Sequence, residues 1–424
     1  MGLLQGEREA RANGRFPGAG QIVVEPGAPS HLAIRSTFGM LDSRDGGKTV
    51  RWICEEAAFF APTSYDPAVA MGRGGVVLAG LASGLSRGTV GGCSWEKIAG
   101  RLDGLHVVDV SFDAEGRGLA VASAPSGRGR FGASSDGGAT WEVTDLPEDF
   151  DPLTVDAAPG RPARVYVSAR VPFPQFGGLL RSDDGGVTWS STTFDLRRGR
   201  EAYLSGVDPG NPDRLWIRLR GDEADRLLLS SDAGLTWSDV LATSAPLYGF
   251  ALSPDGLRVA ASSPTDGLLV ASTTDHAFTK LSDLDSRCLA WSPEGLYACA
   301  SEPKDPLTLG LFRGGSAPIE PRYRLLDTEP LDCPPATRTG ALCPALWPSI
   351  ARQLGKGGAP PGSGSPDSAL PPAPPPGAPH PEGRIGGGGC GVAGERGEGL
   401  LLAALIAATA LIAARRAGPP NSQR

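Results

Sequence analysis

One eight-residue pattern returns at a nearly constant interval, and it restricts the chain to a repeat architecture. Its full form is S-x-D-[GA]-G-x-T-W. Copies stand at 43–50 (SRDGGKTV), 134–141 (SSDGGATW), 182–189 (SDDGGVTW) and 230–237 (SSDAGLTW). Decayed copies lie at 88–95 (GTVGGCSW), with Val90 at the Asp position, and at 273–280 (TTDHAFTK). The Asp positions are 45, 90, 136, 184, 232 and 275, a period of 43 to 48 residues. A second series keeps the same step, a turn followed by a short β-rich run. Its turns begin at Glu25, Asp66, Asp113, Ala158, Asp208, Ser253 and Ser292. That makes seven units, the seventh ending near 311–315, where the pattern has decayed past recognition.

A unit of this length is the size of a four-stranded propeller blade. Helical periodicity is nearly absent between 20 and 320. The fold class expected is therefore all-β: a single β-propeller of seven four-stranded blades over 20–325, with 21–24 at one edge of the ring closure. The first 19 residues form a separate N-terminal segment. A Cys-containing extension (326–354), a disordered linker (355–389) and a tail with a C-terminal transmembrane helix (390–424) complete the chain.

The pattern has a local physical reading. Its Asp folds back onto turn N–H groups as in an Asx-turn. Its glycines supply positive φ or close backbone approach. Its Trp covers the hairpin. These residues resemble the Asp-box (bacterial neuraminidase) repeat family over roughly 20–320. The resemblance implies that the boxes sit on the outer rim, away from the face where ligands bind. Asp45, Asp136, Asp184, Asp232 and Asp275, with Trp141, Trp189 and Trp237, are accordingly structural and not catalytic.

From 355 the composition shifts to Pro and Gly, in a stretch that carries APPGSGSP, LPPAPPPGAPHP and IGGGG. This is a semi-extended linker without core-forming content. Cys390 follows, then the apolar run 400–414 (LLLAALIAATALIAA), then Arg415 and Arg416. The run is 15 residues long, short of the roughly 20 usual for a span. The Arg pair after it suits an orientation with the propeller outside. Gly-rich segment, Cys, apolar run and Arg pair resemble the MYXO-CTERM sorting signal of myxobacteria over 386–417. That resemblance implies processing near Cys390 by a dedicated intramembrane protease, lipidation, and a place on the cell surface or outer membrane of a Gram-negative bacterium. A single Cys in this tail departs from family members that carry more. At the other end, Ala10-Arg11-Ala12 reads as a signal-peptidase site, although MGLLQGERE lacks an apolar region, so the export signal is expected to be incomplete in this sequence.

Six Cys precede the linker, an even number suited to disulfides in an oxidising compartment. Around the turn 292–295, Cys288 and Cys299 fall opposite each other in the hairpin register, close enough to bond with help from strand twist. Cys333 and Cys343 bracket a Pro-rich loop and are expected to pair. Cys54 is then left for Cys93, and Cys390 stays unpaired.

The net charge of -7 argues against a nucleic-acid partner. No P-loop, HExxH or EF-hand motif is present, and neither metal nor cofactor is expected. Gly84-Leu85-Ser86-Arg87-Gly88 matches G-x-S-x-G, but no helix follows to make a nucleophile elbow. A sialidase-like arginine motif is missing: 14–17 (GRFP) lacks the order. Arg170, Arg181 and Arg218 lie in blades with nothing to group them. Asp109, Asp156 and Asp208 fall at inner-strand positions, where two carboxylates could serve a glycoside hydrolase. The reading favoured is a non-enzymatic surface propeller that binds a protein or glycan partner and is anchored by its processed tail.

Overall fold

The computed structural model describes residues 18–60, 66–89, 91–124, 127–171, 175–197, 199–300 and 309–356. Within them the chain forms seven antiparallel sheets in sequence order, each built from four consecutive strands. We number these blades 1 to 7, over 19–53, 69–98, 106–145, 151–194, 201–242, 249–282 and 286–323. Each begins with an inner strand, such as Ala19–Glu25 in blade 1 or His106–Phe112 in blade 3. The inner strands of blades 7 and 1 lie side by side, so the ring closes there, with 21–24 inside that seam as expected.

Antiparallel pairing fixes two ends. First-to-second and third-to-fourth strand turns share one end with the repeat motif. Second-to-third turns and the passages between blades share the other, called here the mouth.

The motif turn is held by its own side chains. In blade 3, Asp136 Oδ1 accepts from Ser134 Oγ (2.8 Å) and from Ala139 N and Thr140 N (both 2.9 Å), while Oδ2 accepts from Thr140 Oγ1 (2.6 Å). Ser134 Oγ in turn accepts from Gly138 N. Asp45, Asp184 and Asp232 repeat this set with small variations. The bond from the threonine hydroxyl, then those from backbone N–H groups, hold Asp136 and Asp184 well below the usual carboxylate range. Asp275 keeps one short turn bond, accepted from Ala277 N; His276 and Ala277 replace the two glycines, and Thr279 donates to Val270 O instead. Trp141 donates to Gly138 O (2.9 Å), whereas Trp189 and Trp237 pack on Phe131 and Phe194.

The two motif glycines divide their work. Both have positive φ, but a Cβ on the first, Gly137, would meet nothing, while one on the second, Gly138, would lie 2.5 Å from Leu78 of blade 2. Gly186 meets Phe131 of blade 3, and Gly234 meets Leu179 of blade 4, in the same way. The second glycine is therefore where one blade's backbone presses on the preceding blade. Arginines add a polar latch at the same end: Arg87 donates to Gly137 O (2.9 Å) and Arg117 to Gly185 O (3.1 Å), each reaching the next blade.

The structure corrects the cysteine scheme. Cys288–Cys299 forms as the hairpin register requires, with Cα atoms 5.1 Å apart. Cys54 bonds Cys343 and Cys93 bonds Cys333, not 54–93 and 333–343. The reason is that the extension is not a loop hanging on its own cystine. Glu329–Pro330 adds a fifth, parallel strand to blade 1, beside Arg51–Ile53. A helix then runs over Arg338–Gln353, capped by Thr337, whose hydroxyl accepts from Gly340 N. It lies on the outer wall of blades 1 and 2. Three cystines fit an oxidising compartment.

No helix among the described residues is long and apolar enough to cross a membrane. The expected span at 400–414, with Cys390, Arg415, Arg416 and the linker from 357 on, lies outside the described residues, as does Val90.

Candidate functional site at the mouth of the ring

Ionisable residues recur at one structural position around the mouth. His106, Asp151 and Glu201 open the inner strands of blades 3, 4 and 5. Each is paired in register with the mouth end of the second strand: His106 with Ser123, Asp151 with Arg170, Glu201 with Arg220. Directly opposed residues share a sheet face, so the pairs line up as a crescent.

The crescent is bonded across blades. Ser123 Oγ of blade 3 donates to Asp151 Oδ1 of blade 4 (2.6 Å). Arg170 reaches from Asp151 (3.4 Å) to Glu201 of blade 5, where Arg220 also donates (3.2 Å). Tyr203 donates to the same carboxylate at 2.5 Å. Burial alone would raise Glu201, but the Tyr203 hydroxyl and Arg170 hold it below the ordinary range. Burial pushes Tyr203 up and His106 down.

Blades 5 to 7 continue the site with stacked pairs. The Arg218 guanidinium lies 4.9 Å from the Tyr203 ring centre and donates to Leu247 O (2.6 Å). Arg287 covers Tyr248 at 4.6 Å and stands 3.4 Å from Asp285. Between them is a cleft of about 120 Å³, walled by Tyr203, Arg218, Tyr248 and Phe250. That is well below the roughly 300–1,000 Å³ of a pocket that encloses a small molecule. It suits the end of one projecting group.

Further from the mouth, Asp109 and Asp156 stand partly buried on neighbouring inner strands. Asp109 accepts from Val155 N and Asp156 from Ala157 N, both at 2.9 Å. Burial pushes each up to about 7, with Asp156 adding to the effect on Asp109.

The sequence-derived candidates are thus sorted. Arg170 and Arg218 meet in the mouth, whereas Arg181 sits at the motif end, 3.3 Å from Asp183. Asp208 is corrected: it lies just past its inner strand and caps the following turn through Gly210 N. Ser86 is fully buried in a strand and donates to Ala58 O, which removes the G-x-S-x-G reading. Sequence reading missed His106, Asp151, Glu201, Arg220, Tyr203, Tyr248 and Arg287. Aligning the seven units would have put the first three in one column.

This geometry defines the class: a seven-bladed β-propeller with a polar mouth. No protein-family profile matches the chain, and no curated protein matches its sequence. Among solved structures it is similar to an ancestral GH74 enzyme, with TM-score 0.56 and 14% identity, over 73% of this chain and 47% of that one. The chain thus spans about half of that enzyme. It is also similar to the hydrazine synthase of Kuenenia stuttgartiensis, with TM-score 0.54 and 11% identity, over 75% of this chain and 100% of that one. These likenesses establish the fold alone.

Proposed function

We propose that this chain is a non-enzymatic surface propeller of the Asp-box type that binds a protein or glycan partner at its mouth. The carrying observation is the crescent itself. Arg170, Arg220 and Arg287 already face protein carboxylates, and the adjoining cleft is small. Such a surface offers balanced donors, acceptors and stacked aromatic rings to a partner's projecting group. It does not present a free cationic clamp. In this reading the tail 390–424 anchors the propeller to the cell surface, with processing at Cys390 and Arg415 and Arg416 retained inside. The three cystines support an exported chain.

A glycan array and a surface-protein pulldown with the purified protein test this, alongside Arg170→Ala/Arg220→Ala. Binding that falls at least about tenfold in the variant, with its thermal transition within a few degrees of wild type, supports the proposal. Undiminished binding refutes it.

One observation favours a second reading, a glycoside hydrolase. Asp109 and Asp156 are both raised to about 7, where one could donate and the other accept a proton. Turnover of aryl glycosides that disappears in Asp109→Asn would replace the binding proposal with this one.

A further inference from the structure

We infer that residues 329–356 are a covalent clasp over the ring seam, which a dithiol can release while blades 3 to 6 stay folded. Blade 1 takes its four antiparallel strands from one contiguous stretch, so no strand of blade 7 is exchanged across the seam. The extension supplies what is missing. It leaves blade 7, lays Glu329–Pro330 on the outer strand of blade 1, and packs its helix over blades 1 and 2. Leu331 N donates to Trp52 O (2.9 Å), and Thr339 Oγ1 donates to Gly92 O (2.7 Å). Two cystines then fix it: 54–343 to blade 1 and 93–333 to blade 2, closing chain separations of 289 and 240 residues.

All three cystines lie at the seam, not wherever the motif has decayed. Blades 3, 4 and 5 carry full copies and no cystine, and blade 6, with a decayed copy, has none either. Blade 2 has lost the Asp, blade 1 has Val50 for Trp, and blade 7 has no copy. These three are the blades where every cystine lands. One apolar cluster joins them to the helix, running through Trp52, Trp95, Tyr297, Cys343, Leu346 and Ile350. Cystines and this cluster hold the seam.

Exposure sets an order of release. Cys54 and the helix's own Cys343 are 0% and 1% exposed, whereas Cys93 and Cys333 are half-buried. A dithiol thiolate attacks one sulfur of the more accessible 93–333 bond and forms a mixed disulfide. The dithiol's second thiol resolves it, so the reagent leaves as a disulfide and the protein gains two electrons and two protons as two thiols.

The test is timed reduction of the oxidised full chain with excess dithiothreitol, read by alkylation mapping and segment-resolved hydrogen exchange. Thiols at 93 and 333 should appear before those at 54 and 343. Once both bonds are open, peptides over 329–353 should exchange roughly a hundredfold faster. Peptides over 106–282 should keep their protection. The Cys54→Ser/Cys93→Ser/Cys333→Ser/Cys343→Ser variant, with the 288–299 bond intact, should show the same pattern without reductant. Unchanged exchange at 329–353 after both bonds open would overturn the inference. So would loss of protection over 106–282 in either experiment.

Discussion

At the scale of single residues, His31 carries a pH dependence that can be worked out. It is buried at the motif end of blade 1, with Nε2 2.8 Å from Asp42 and Nδ1 2.5 Å from Glu25. Glu25 also accepts from Gly74 N of blade 2, and Arg44 stands 3.6 Å from Asp42. The bond to Asp42 raises the imidazole above its usual value; burial opposes this, and Glu25 adds to it. A raised folded-state value means that the stabilisation is complete below about pH 6.5, the unfolded value. It is lost as pH rises through the raised value. The melting temperature of wild type should therefore fall above pH 6.5 more steeply than that of His31→Gln. Parallel curves for the two would show that His31 is neutral in the fold.

At the scale of elements, the motif turn predicts an asymmetry between adjacent glycines. Gly137→Ala meets only the backbone cost of positive φ, about 1–2 kcal/mol. Gly138→Ala adds a clash with Leu78 of the preceding blade, and overpacking typically costs about 1–3 kcal/mol more. Urea denaturation should rank Gly138→Ala clearly below Gly137→Ala, and equal losses would contradict the inter-blade role. These hairpins were legible from sequence because their chemistry is local: Ser, Asp, Gly and Thr within eight residues bond one another. The Cys288–Cys299 pair was legible for the same reason, since a tight turn sets its register. The other two cystines were not, because their partners are brought together by the packing of the C-terminal helix across Trp52 and Gly92. Nothing local to Cys333 or Cys343 encodes that packing.

At the scale of the whole molecule, the ring turns residues one repeat apart into neighbours. His106, Asp151 and Glu201 share no residue type and no motif, and only closure of the propeller makes them one surface. The blade count could be read from periodicity, while the mouth depends on which strand end each residue occupies. The same closure separates the two ends: the motif turns, conspicuous in sequence, stand away from the crescent. The most direct test of the account is a hydrogen-exchange footprint of the protein bound to whichever partner the array or pulldown yields. Protection is expected at the mouth, in peptides carrying Asp151, Arg170, Glu201 and Tyr203 and in those spanning 247–250. Protection confined to the motif turns around Asp136, Asp184 and Asp232, with the mouth unchanged, would contradict it.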